Sequence, residues 1–339
     1  MHTMYKIYLT ARSLNEATSY YIGLIEQAVQ GTGASSARVY AVKDIHPGDS
    51  IITVEAKDFF YLSLRRPKNP KINWYQGITP EEAMMVYGNP LRKLLWEVFE
   101  RHSLKKAALN IFVSRAMWQH YREKYNYRGE NHVEIPCYNQ QLDEASFHLE
   151  GKYSRPTFAY TGSLSKWQCV AQVLQVHQLL EQRLPGAHLS LFTREVEEAR
   201  LLVARYGLQN VRIAHVPLAQ LNEALQSIKY GWLLREDVAV NQVATPTKMN
   251  SYMANGMIPV YSDVVTAFRE QLPLGPYAVR IRAGATVEAI AAQVISYERE
   301  QAISPDGLYA HYLKIFSRFY NDDYYIELLR SALSQLRNI

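Results

Sequence analysis

Two basic residues in the second half of the chain stand where a cation needs an anionic partner. Arg235 ends the apolar run YGWLLR, and Lys248 falls in the first turn of a short predicted helix. The positive end of a helix dipole repels a cation, so something negative is needed near Lys248. Charge-assisted hydrogen bonds to phosphate oxygens are strong, and the two side chains therefore predict a site for a pyrophosphate.

The residues around Lys248, NQVATPTKMNSYMANGMIPVYSD, predict how this lysine is presented. Thr245 is expected to cap the helix through its hydroxyl, and Pro246 suits the first helical position, where its missing amide donor is not needed. Asn255 and Gly256 then end the helix, so that a buried strand begins at once. The alternative is that Thr245 and Pro246 are ordinary helix punctuation.

A glycine turn adds a third basic residue to this set. In YTGSLSKWQ, Gly162 follows a predicted strand and Lys166 lies in the first turn of the next helix. Glycine lets the backbone approach a ligand closely, and free amides at a helix start favour an anion. Each signal has an ordinary alternative, because such turns are common and Lys166 is also explained as a solvated side chain. Arg235 is likewise explained as a surface partner of Glu236 and Asp237.

Short apolar runs alternate with helical segments along most of the chain. This rhythm predicts an α/β fold with two doubly wound, mainly parallel sheets. The predicted strands are KIYLT, ARVYAV, SIITVEA, INWYQG and LNIFVS in the first half, and TFAYTG, HLSLFT, VRIAHV, YGWLLR, MIPVYS and YAVRI in the second. Helical spacing of apolar residues predicts helices at 90–108, 166–184, 196–207 and 219–228, and two more after Pro305.

The length of 339 residues suits two domains of ordinary size. Polar residues, glycine and proline interrupt the pattern at 147–156. We therefore expect domains at 1–150 and 151–303, and closing helices at 304–339 that pack back on the first domain. Open parallel sheets bind ligands at the carboxyl ends of their strands, so a cleft between the domains is the expected site.

The charge distribution favours anionic partners. The net charge is +5, with 37 Lys and Arg against 32 Asp and Glu. Thirteen of the basic residues lie at 65–128, where their excess over Asp and Glu is larger than the net charge of the whole chain. With Trp96, Phe99 and Trp118 nearby, this region is a candidate for docking on an anionic membrane surface. A solvated helix face is the alternative.

The cysteines and the apolar runs indicate in which cellular compartment the protein is found. Only Cys137 and Cys169 occur, far apart and without metal-ligand spacing, which predicts a reduced compartment and no disulfide framework. The first residues, MHTMYKIYLTAR, contain no signal-type apolar core, and no apolar run approaches the length of a membrane span. A cytoplasmic protein is expected, with the inner face of the cytoplasmic membrane as the alternative place.

Several of these segments resemble GT-B glycosyltransferases, specifically the retaining enzymes of glycosyltransferase family 4 that build bacterial surface polysaccharides. The resemblance covers nearly the whole chain and is carried by INWYQGITPEEA, LKKAALNIFVSRAMWQHYREKY, VEIPCYN, YTGSLSKWQ and GWLLREDVAVNQVATPTKMNSYMANGMIPVYSD. It implies two Rossmann-like domains that face each other across a cleft. It also implies transfer of a sugar from a nucleotide-diphosphate donor, UDP- or GDP-linked, to a hydroxyl of a glycan or lipid-linked saccharide.

The resemblance also implies roles for particular residues. Arg235 and Lys248 would clamp the leaving diphosphate and stabilise its charge, with Glu82 as a third catalytic candidate. The implied donor contacts are Gly162, Ser163, Lys166, Arg194, Val216, Glu236, Pro246, Thr247 and Ser251. The implied acceptor contacts are Gln76, Gly77 and Glu81. A Pro-Glu-Glu helix start favoured by the dipole is the alternative explanation for Glu81 and Glu82.

One departure from the family pattern affects the nucleotide contact. Many members carry two glutamates eight residues apart, where this chain has Val243 and Ser251. Ser251 is expected to bind a ribose hydroxyl more weakly than a carboxylate would, and Glu236 is a candidate substitute. A catalytically weak or inactive GT-B-like nucleotide-sugar binding protein is therefore the alternative function.

Other reaction classes are disfavoured. No Asp-x-Asp motif occurs, so we expect no metal and no cofactor besides the nucleotide sugar, and Asp322-Asp323 is expected to be a solvated turn. A dehydrogenase needs a glycine fingerprint after a strand, whereas GTGASS lacks the final spaced glycine and precedes a predicted strand. An exported two-domain binding protein usually carries a signal. Nucleic acid is not an expected partner, because no recognition motif accompanies the basic charge.

Overall fold

The computed structural model describes residues 4–10 and 16–336, which form two compact units. Within the described residues, unit 1 comprises 4–10, 16–139, 243–245 and 321–336. Unit 2 comprises 140–242 and 246–320. Each unit is built around one six-stranded parallel sheet.

Unit 1 contains the first six strands in the order β2-β1-β3-β4-β5-β6. They are β1 (Met4–Tyr8), β2 (Ser35–Val39), β3 (Ser50–Thr53), β4 (Lys71–Tyr75), β5 (Leu109–Phe112) and β6 (His132–Glu134). The helices that connect them are α1 (Glu16–Gly31), α2 (Ala56–Arg65), α3 (Thr79–Tyr87), α4 (Pro90–Lys106) and α5 (Arg115–Tyr125).

Unit 2 contains the other six strands in the order β12-β11-β10-β7-β8-β9. They are β7 (Thr157–Thr161), β8 (His188–Phe192), β9 (Val211–Ala214), β10 (Tyr230–Leu233), β11 (Ile258–Ser262) and β12 (Val279–Ile281). Its helices are α6 (Glu144–Phe147), α7 (Val170–Arg183), α8 (Val196–Arg205), α9 (Leu218–Leu225), α10 (Ala239–Gln242), α11 (Thr247–Ala254), α12 (Thr266–Gln271), α13 (Val287–Glu300) and α14 (Pro305–Phe319). The last described helix, α15 (Asp322–Leu336), belongs to unit 1.

Five strands, β3, β4, β5, β10 and β11, are buried along their whole length, as expected for parallel sheets covered on both faces. Every residue of β4 and of β11 is buried. Two buried polar groups in β4 have partners. Asn73 Oδ1 accepts a hydrogen bond from Thr53 Oγ1 at 2.7 Å. Lys71 Nζ donates to the carbonyls of Arg66 and Asn69 at 2.7 and 2.8 Å. Burial of the Asn73 oxygen and of the Lys71 amine is therefore compensated, whereas Asn73 Nδ2 and Trp74 Nε1 have no partner among the described residues.

The strand order reverses once in each sheet. In unit 1 the reversal lies between β1 and β3, and in unit 2 between β7 and β10, where Gly231 pairs with Ala159. At such a switch point the chain leaves the two strands in opposite directions, and a crevice opens beyond their carboxyl ends. The loops after β7 and β10 begin with Gly162 and contain Arg235, so both residues lie at the switch point of unit 2.

The predicted α/β fold with two parallel sheets is confirmed. All eleven predicted strands are present, and only the three-residue strand β6 was not predicted. β2 begins two residues before its predicted start, at Ser35. None of the described helices combines the length and the apolarity needed to cross a bilayer.

The unit boundary differs from the predicted boundary at 150/151. Unit 2 begins at Gln140, whose amide donates to Asn250 Oδ1 at 2.9 Å. Three residues later, the amide of Asp143 donates to the carbonyl of Ala254 at 2.9 Å. These bonds attach the start of unit 2 to α11, well before residue 151.

The two closing helices also separate, instead of forming one segment at 304–339. α14 stays with unit 2 and packs on α6, where the rings of Phe147 and Tyr309 lie 5.2 Å apart. α15 packs on α1, and Tyr20 donates to Asp322 at 2.7 Å. Asp322 is therefore a hydrogen-bonded helix-start residue rather than only a solvated turn.

Candidate functional site

Gly162 forms the turn at the carboxyl end of β7. Its φ angle is +115°, a backbone conformation that residues other than glycine rarely adopt. A Cβ atom at this position would lie 2.9 Å from Lys248 Cε and 3.1 Å from Lys248 Nζ. Glycine is thus required here for two reasons, and the second is that the amine of Lys248 lies against the turn.

Lys248 lies in the first turn of α11, as predicted. Its Nζ donates a hydrogen bond to Gln168 Oε1 and lies 4.1 Å from the centre of the Tyr160 ring. No carboxylate of the described residues pairs with it. Burial, and then the charge of Arg235, hold the pKa of Lys248 well below its usual value.

Arg235 follows β10 and is the second cation of the site. Its backbone amide donates to Ser262 Oγ at 2.9 Å, which fixes the loop against β11. In the described part of the chain, no residue forms a hydrogen bond or an ion pair with its guanidinium. Burial lowers the pKa of Arg235, while Tyr160, Tyr252 and Cys169 act in the opposite direction. We call Arg235 and Lys248, with Gly162 and Gln168, the cationic site.

Tyr252 holds α11 in place beneath the cationic site. Its hydroxyl donates to the carbonyl of Trp232 at 3.1 Å and accepts from the amide of Thr161 at 3.2 Å. Its ring occupies the space beside Gly231, where a Cβ atom would lie 2.4 Å from ring carbons. Since Tyr252 follows Lys248 by one helical turn, it fixes the helix face that presents the lysine. The sequence signal for this contact was the glycine inside a buried strand.

Gln168 was also missed from the sequence, although it is the hydrogen-bond acceptor of Lys248. Its Oε1 lies 2.9 Å from the Tyr160 hydroxyl, and its Nε2 donates to Ser163 Oγ at 2.9 Å. The Tyr160 hydroxyl also donates to the carbonyl of Ser163. These bonds order the loop after β7, and they give Lys248 a neutral acceptor in place of an anion.

Free amides surround the cationic site. The amide of Gly162 is not one of them, because it donates to the carbonyl of Phe192 at 2.9 Å. The next three amides, of residues 163–165, donate to no described residue, and the same holds for Thr247 and Lys248 at the start of α11. Amides of this kind, together with two cations, make a favourable environment for phosphate oxygens.

The predicted start of α11 was wrong in two details. Thr245 does not cap the helix, because its hydroxyl oxygen accepts from the amide of Cys137 at 2.7 Å and lies 3.4 Å from the carbonyl of Val113. Pro246 occupies the capping position instead of the first helical position. The end of the helix is as predicted, with Asn255 at the C-cap and Gly256 at a φ of +65°.

The other predicted donor residues differ in exposure. Lys166 and Arg194 are exposed, Val216 and Glu236 are half-buried, and Ser251 is buried. The Ser251 hydroxyl donates to the carbonyl of Thr247 at 3.2 Å. Val243 is buried, and its carbonyl accepts from Ser114 Oγ at 2.5 Å. Their roles in donor binding stay predictions.

A cavity of about 410 Å³ lies in unit 1 beyond the carboxyl ends of β3 and β4. We call it the acid-lined cavity, because its lining includes Glu55, Glu82 and Glu100, together with Trp74, Tyr75, Gln76, Gly77, Tyr87, Arg92 and Trp96. It thus brings together three of the predicted residues, Gln76, Gly77 and Glu82. Glu81 is not part of the lining, since its Oε1 accepts from Lys124 at 2.6 Å.

Burial raises the pKa of two carboxyl groups of the acid-lined cavity, those of Glu82 and Glu100. Glu82 Oε1 lies so close to Gly77 that a Cβ atom there would be 2.1 Å away, and burial followed by Glu81 raises the pKa of Glu82. Glu100 is 1% exposed and accepts from Tyr121 and Tyr125 at 3.0 and 2.7 Å. Burial raises the pKa of Glu100 to about 8.

Metal-ligating side chains do not cluster in the described residues, where no three His, Cys, Asp or Glu side chains could hold a metal ion together. Cys137 and Cys169 are both free. Burial, and then Glu236, raise the pKa of Cys169 to about 11, so this thiol stays protonated at neutral pH.

Comparison with known proteins shows which solved structures share the fold of this chain. No family model matches the chain, and no curated protein matches it in sequence. Among solved structures, Anabaena Alr3699/HepE in complex with UDP and glucose matches with a TM-score of 0.72 and 13% identity, over 98% of this chain and 100% of that one. Sucrose-phosphate synthase from Thermosynechococcus elongatus matches with a TM-score of 0.70 and 12% identity, over 99% and 98%.

This chain has the GT-B fold. A TarM variant from S. aureus, in complex with fondaparinux, alpha-GlcNAc-glycerol and UDP, shares it with a TM-score of 0.66 and 10% identity. That match covers 86% of this chain and 56% of TarM, so the chain spans little more than half of that protein. The predicted GT-B fold is confirmed, whereas membership of glycosyltransferase family 4 stays a prediction.

Proposed function

We propose that the chain is a retaining glycosyltransferase that moves a sugar from a nucleotide-diphosphate donor to an acceptor hydroxyl. The observation that carries this proposal is the cationic site. Arg235 and Lys248 lie close enough for Arg235 to lower the pKa of the lysine, and neither has a carboxylate partner among the described residues. A diphosphate supplies the missing negative charge. The GT-B fold supports this choice, and the structures of HepE and TarM contain UDP.

In the proposed reaction the bond between the anomeric carbon and the diphosphate oxygen breaks, and its electron pair stays with the nucleoside diphosphate. The acceptor oxygen bonds to the anomeric carbon on the same face, and its proton passes to the departing phosphate. Charge therefore develops on the diphosphate, where Arg235 and Lys248 stabilise it. Lys248 would exchange Gln168 for a phosphate oxygen, whose negative charge would raise the lowered pKa of the lysine.

The acid-lined cavity is the proposed site of the acceptor saccharide. Its volume falls within the range of about 300–1,000 Å³ that is typical of small-molecule sites. The rings of Trp74, Trp96 and Tyr87 suit the apolar faces of sugars, and the indole N–H of Trp74 has no hydrogen-bond partner among the described residues. Gln76 and Glu82 offer polar groups for sugar hydroxyls. Glu82 would orient the acceptor hydroxyl.

Three further features belong to this proposal. Transfer is metal-independent, because the two cations take the role that a metal would have at the diphosphate. The acceptor is a glycan or a lipid-linked saccharide. The protein acts in the cytoplasm and associates with an anionic membrane surface there.

The experiment is a screen of UDP- and GDP-linked sugars in which release of the nucleoside diphosphate is measured, with and without a chelator. We expect one donor to be consumed at a rate that the chelator leaves unchanged. Strict dependence on an added divalent metal would contradict the metal-free mechanism. Donor binding without turnover over a wide acceptor set would favour the alternative, an inactive nucleotide-sugar binding protein. The reason for this alternative is that Ser251 stands where many members of the resembled family carry a glutamate.

A further inference from the structure

A patch of exposed apolar side chains covers the turn between α3 and α4. Of fifteen large apolar side chains that are exposed in the described part of the chain, eight lie at 84–98. We call them the docking face: Met84, Met85, Val86 and Tyr87 of α3, and Leu91, Leu94, Leu95 and Val98 of α4. Single exposed apolar residues are ordinary, but a contiguous group of this kind marks an interaction surface.

The exposed side of α4 changes from apolar to cationic along the helix. Leu91, the most exposed of the eight at 77%, is followed at spacings of three and four residues by Leu94 and Val98. The same spacing then reaches Arg101 and Lys105, which are also exposed. Residues at this spacing lie on one face of a helix. An amphipathic helix with cations beside its apolar residues is typical of a surface that lies on anionic lipid.

The carboxylates of α3 and α4 are turned away from this face. Lys124 Nζ lies 2.6 Å from Glu81 and 3.2 Å from Glu97, and it is 3.9 Å from the buried Glu100. Glu82, the remaining carboxylate of the two helices, lines the acid-lined cavity. The docking face therefore carries no negative side chain of its own two helices, which leaves its charge complementary to an anionic surface.

A second cavity, of about 230 Å³, lies at the cationic end of α4. Arg101, Lys105 and Arg128 line it together with Tyr125 and Tyr127, and its lining contains no carboxylate. The guanidinium of Arg101 lies over the Tyr125 ring at 5.1 Å. Three cations around a small cavity suit a phosphate group, and their place beside the docking face suits the phosphate of a lipid headgroup.

The docking face also borders the acid-lined cavity. Val86 and Tyr87 belong to both, and Arg92 and Trp96 of α4 line the cavity as well. A bilayer on the docking face would therefore lie at the edge of the cavity. A saccharide attached to a membrane lipid could enter the cavity while its lipid remains in the bilayer.

We propose that the docking face inserts into an anionic bilayer, with Arg101, Lys105 and Arg128 binding lipid phosphates, and that it brings lipid-linked acceptors to the acid-lined cavity. The acceptor part rests on the proposed function. Bilayer binding deepens the membrane association proposed there by assigning it a surface, and it is tested without any donor. The aromatic residues expected from the sequence are not the inserting ones. Trp118 is stacked on His132 at 5.1 Å, and Trp96 packs against Phe99 at 5.8 Å.

The experiment is flotation of the full chain with vesicles of phosphatidylcholine alone or mixed with phosphatidylglycerol. We expect binding only to the mixed vesicles. Replacing Arg101, Lys105 and Arg128 by Gln is expected to weaken binding about 100-fold, because each basic residue near an anionic surface contributes roughly a factor of five. The matched control replaces Arg205, Lys314 and Arg318 of unit 2, all exposed, by Gln and is expected to bind as the wild type does.

A second pair of variants tests the apolar part. L91S/L94S/L95S should lose binding at least tenfold, while L201S/L313S, at exposed leucines of unit 2, should keep it. Equal binding to both vesicle types, or equal loss in the control variants, would overturn the proposal. A third result would also overturn the proposal. In it, the wild type does not bind vesicles and sediments as a dimer, and L91S/L94S/L95S sediments as a monomer. Thermal shifts with UDP and GDP, run in parallel, report on the cationic site alone and so separate failure of docking from failure of the proposed function.

Discussion

The cationic site of unit 2 and the acid-lined cavity of unit 1 occupy corresponding places in two similar sheets, yet their charges are opposite. Both lie beyond the carboxyl ends of parallel strands. In unit 2 burial moves Lys248 towards its neutral form, and in unit 1 burial moves Glu82 and Glu100 towards theirs. Each unit thus lowers the cost of a buried charge by a shift in pKa.

The difference shows which properties of a site depend on the fold and which depend on single residues. Parallel sheets determine where the loops converge, while the residues that follow the strands determine the sign of the charge. An anion beside Lys248 would raise its lowered pKa, whereas Glu82 offers hydrogen bonds to neutral hydroxyls. This contrast supports the proposal of an anionic donor in unit 2 and a hydroxyl-rich acceptor in unit 1.

The largest expected effect concerns the cationic site. Arg235→Gln and Lys248→Met should each lower the rate of donor consumption about 100- to 1,000-fold, as removal of one charge-stabilising group does in other enzymes. Initial rates at saturating donor check this. Lys314→Met, at an exposed position on α14, is the control and should be fully active. Full activity of both site variants would remove the two cations from the mechanism.

The next largest effect distinguishes the role of the acid-lined cavity from that of the cationic site. Glu82→Gln should reduce glycosyl transfer about 100-fold, because an amide orients the acceptor hydroxyl less well than a carboxyl group does, and it should leave nucleotide affinity unchanged. Glu81→Gln is the matched control, since Glu81 lies outside the acid-lined cavity and pairs with Lys124. Turnover and nucleotide binding, measured on both variants, distinguish the roles. An equal loss in the two would indicate a structural effect of the helix start.

Gly162→Ala tests the contact between the turn and Lys248. Alanine is strained at a φ of +115°, which costs about 1–3 kcal/mol, and its Cβ would also displace the lysine. Gly186→Ala is the control, because Gly186 has a φ of +80° but open space around its Cβ position. Urea unfolding should show a loss of stability in both variants. Only Gly162→Ala should weaken nucleotide binding as well, and unchanged binding would contradict the contact.

The smallest effect is a pH dependence in unit 1. The folded-state pKa of Glu100, about 8, is above its usual value of 4.5, so the stability it contributes is present at low pH and lost as the pH rises through about 8. The melting temperature of the wild type should therefore fall relative to that of Glu100→Gln between about pH 7 and 9. Parallel pH profiles for the two proteins would show that Glu100 is already ionised below this range.

Sequence patterns predicted the sheets well, because fully buried parallel strands such as INWYQG and MIPVYS are continuous apolar runs between polar turns. They also singled out Arg235, Lys248 and Gly162, whose backbone positions or charges are unusual. The partners of these residues were not predictable, since Gln168 and Tyr252 make contacts that depend on how α11 packs on β7 and β10.

The same limit applies to surfaces and caps. The apolar spacing of α4 predicted a helix, and only the structure shows that Leu91, Leu94 and Val98 are exposed. Thr245 fits a helix cap by its type, but two distant backbone groups bind its hydroxyl instead. Local rules describe a segment alone, and tertiary contacts decide which of several possible partners it takes.

The central claim, that the cationic site binds a diphosphate, is tested most directly by calorimetric titration of UDP and GDP in two buffers with different ionisation enthalpies. The titration should be done at a pH above about 6, the pKa of a terminal phosphate, so that the phosphate is already ionised. We predict that a nucleoside diphosphate binds with uptake of protons, because the anion raises the lowered pKa of Lys248. Lys248→Met should bind more weakly and without this uptake. Failure of both diphosphates to bind, or binding by Lys248→Met with the wild-type affinity and proton uptake, would contradict the claim.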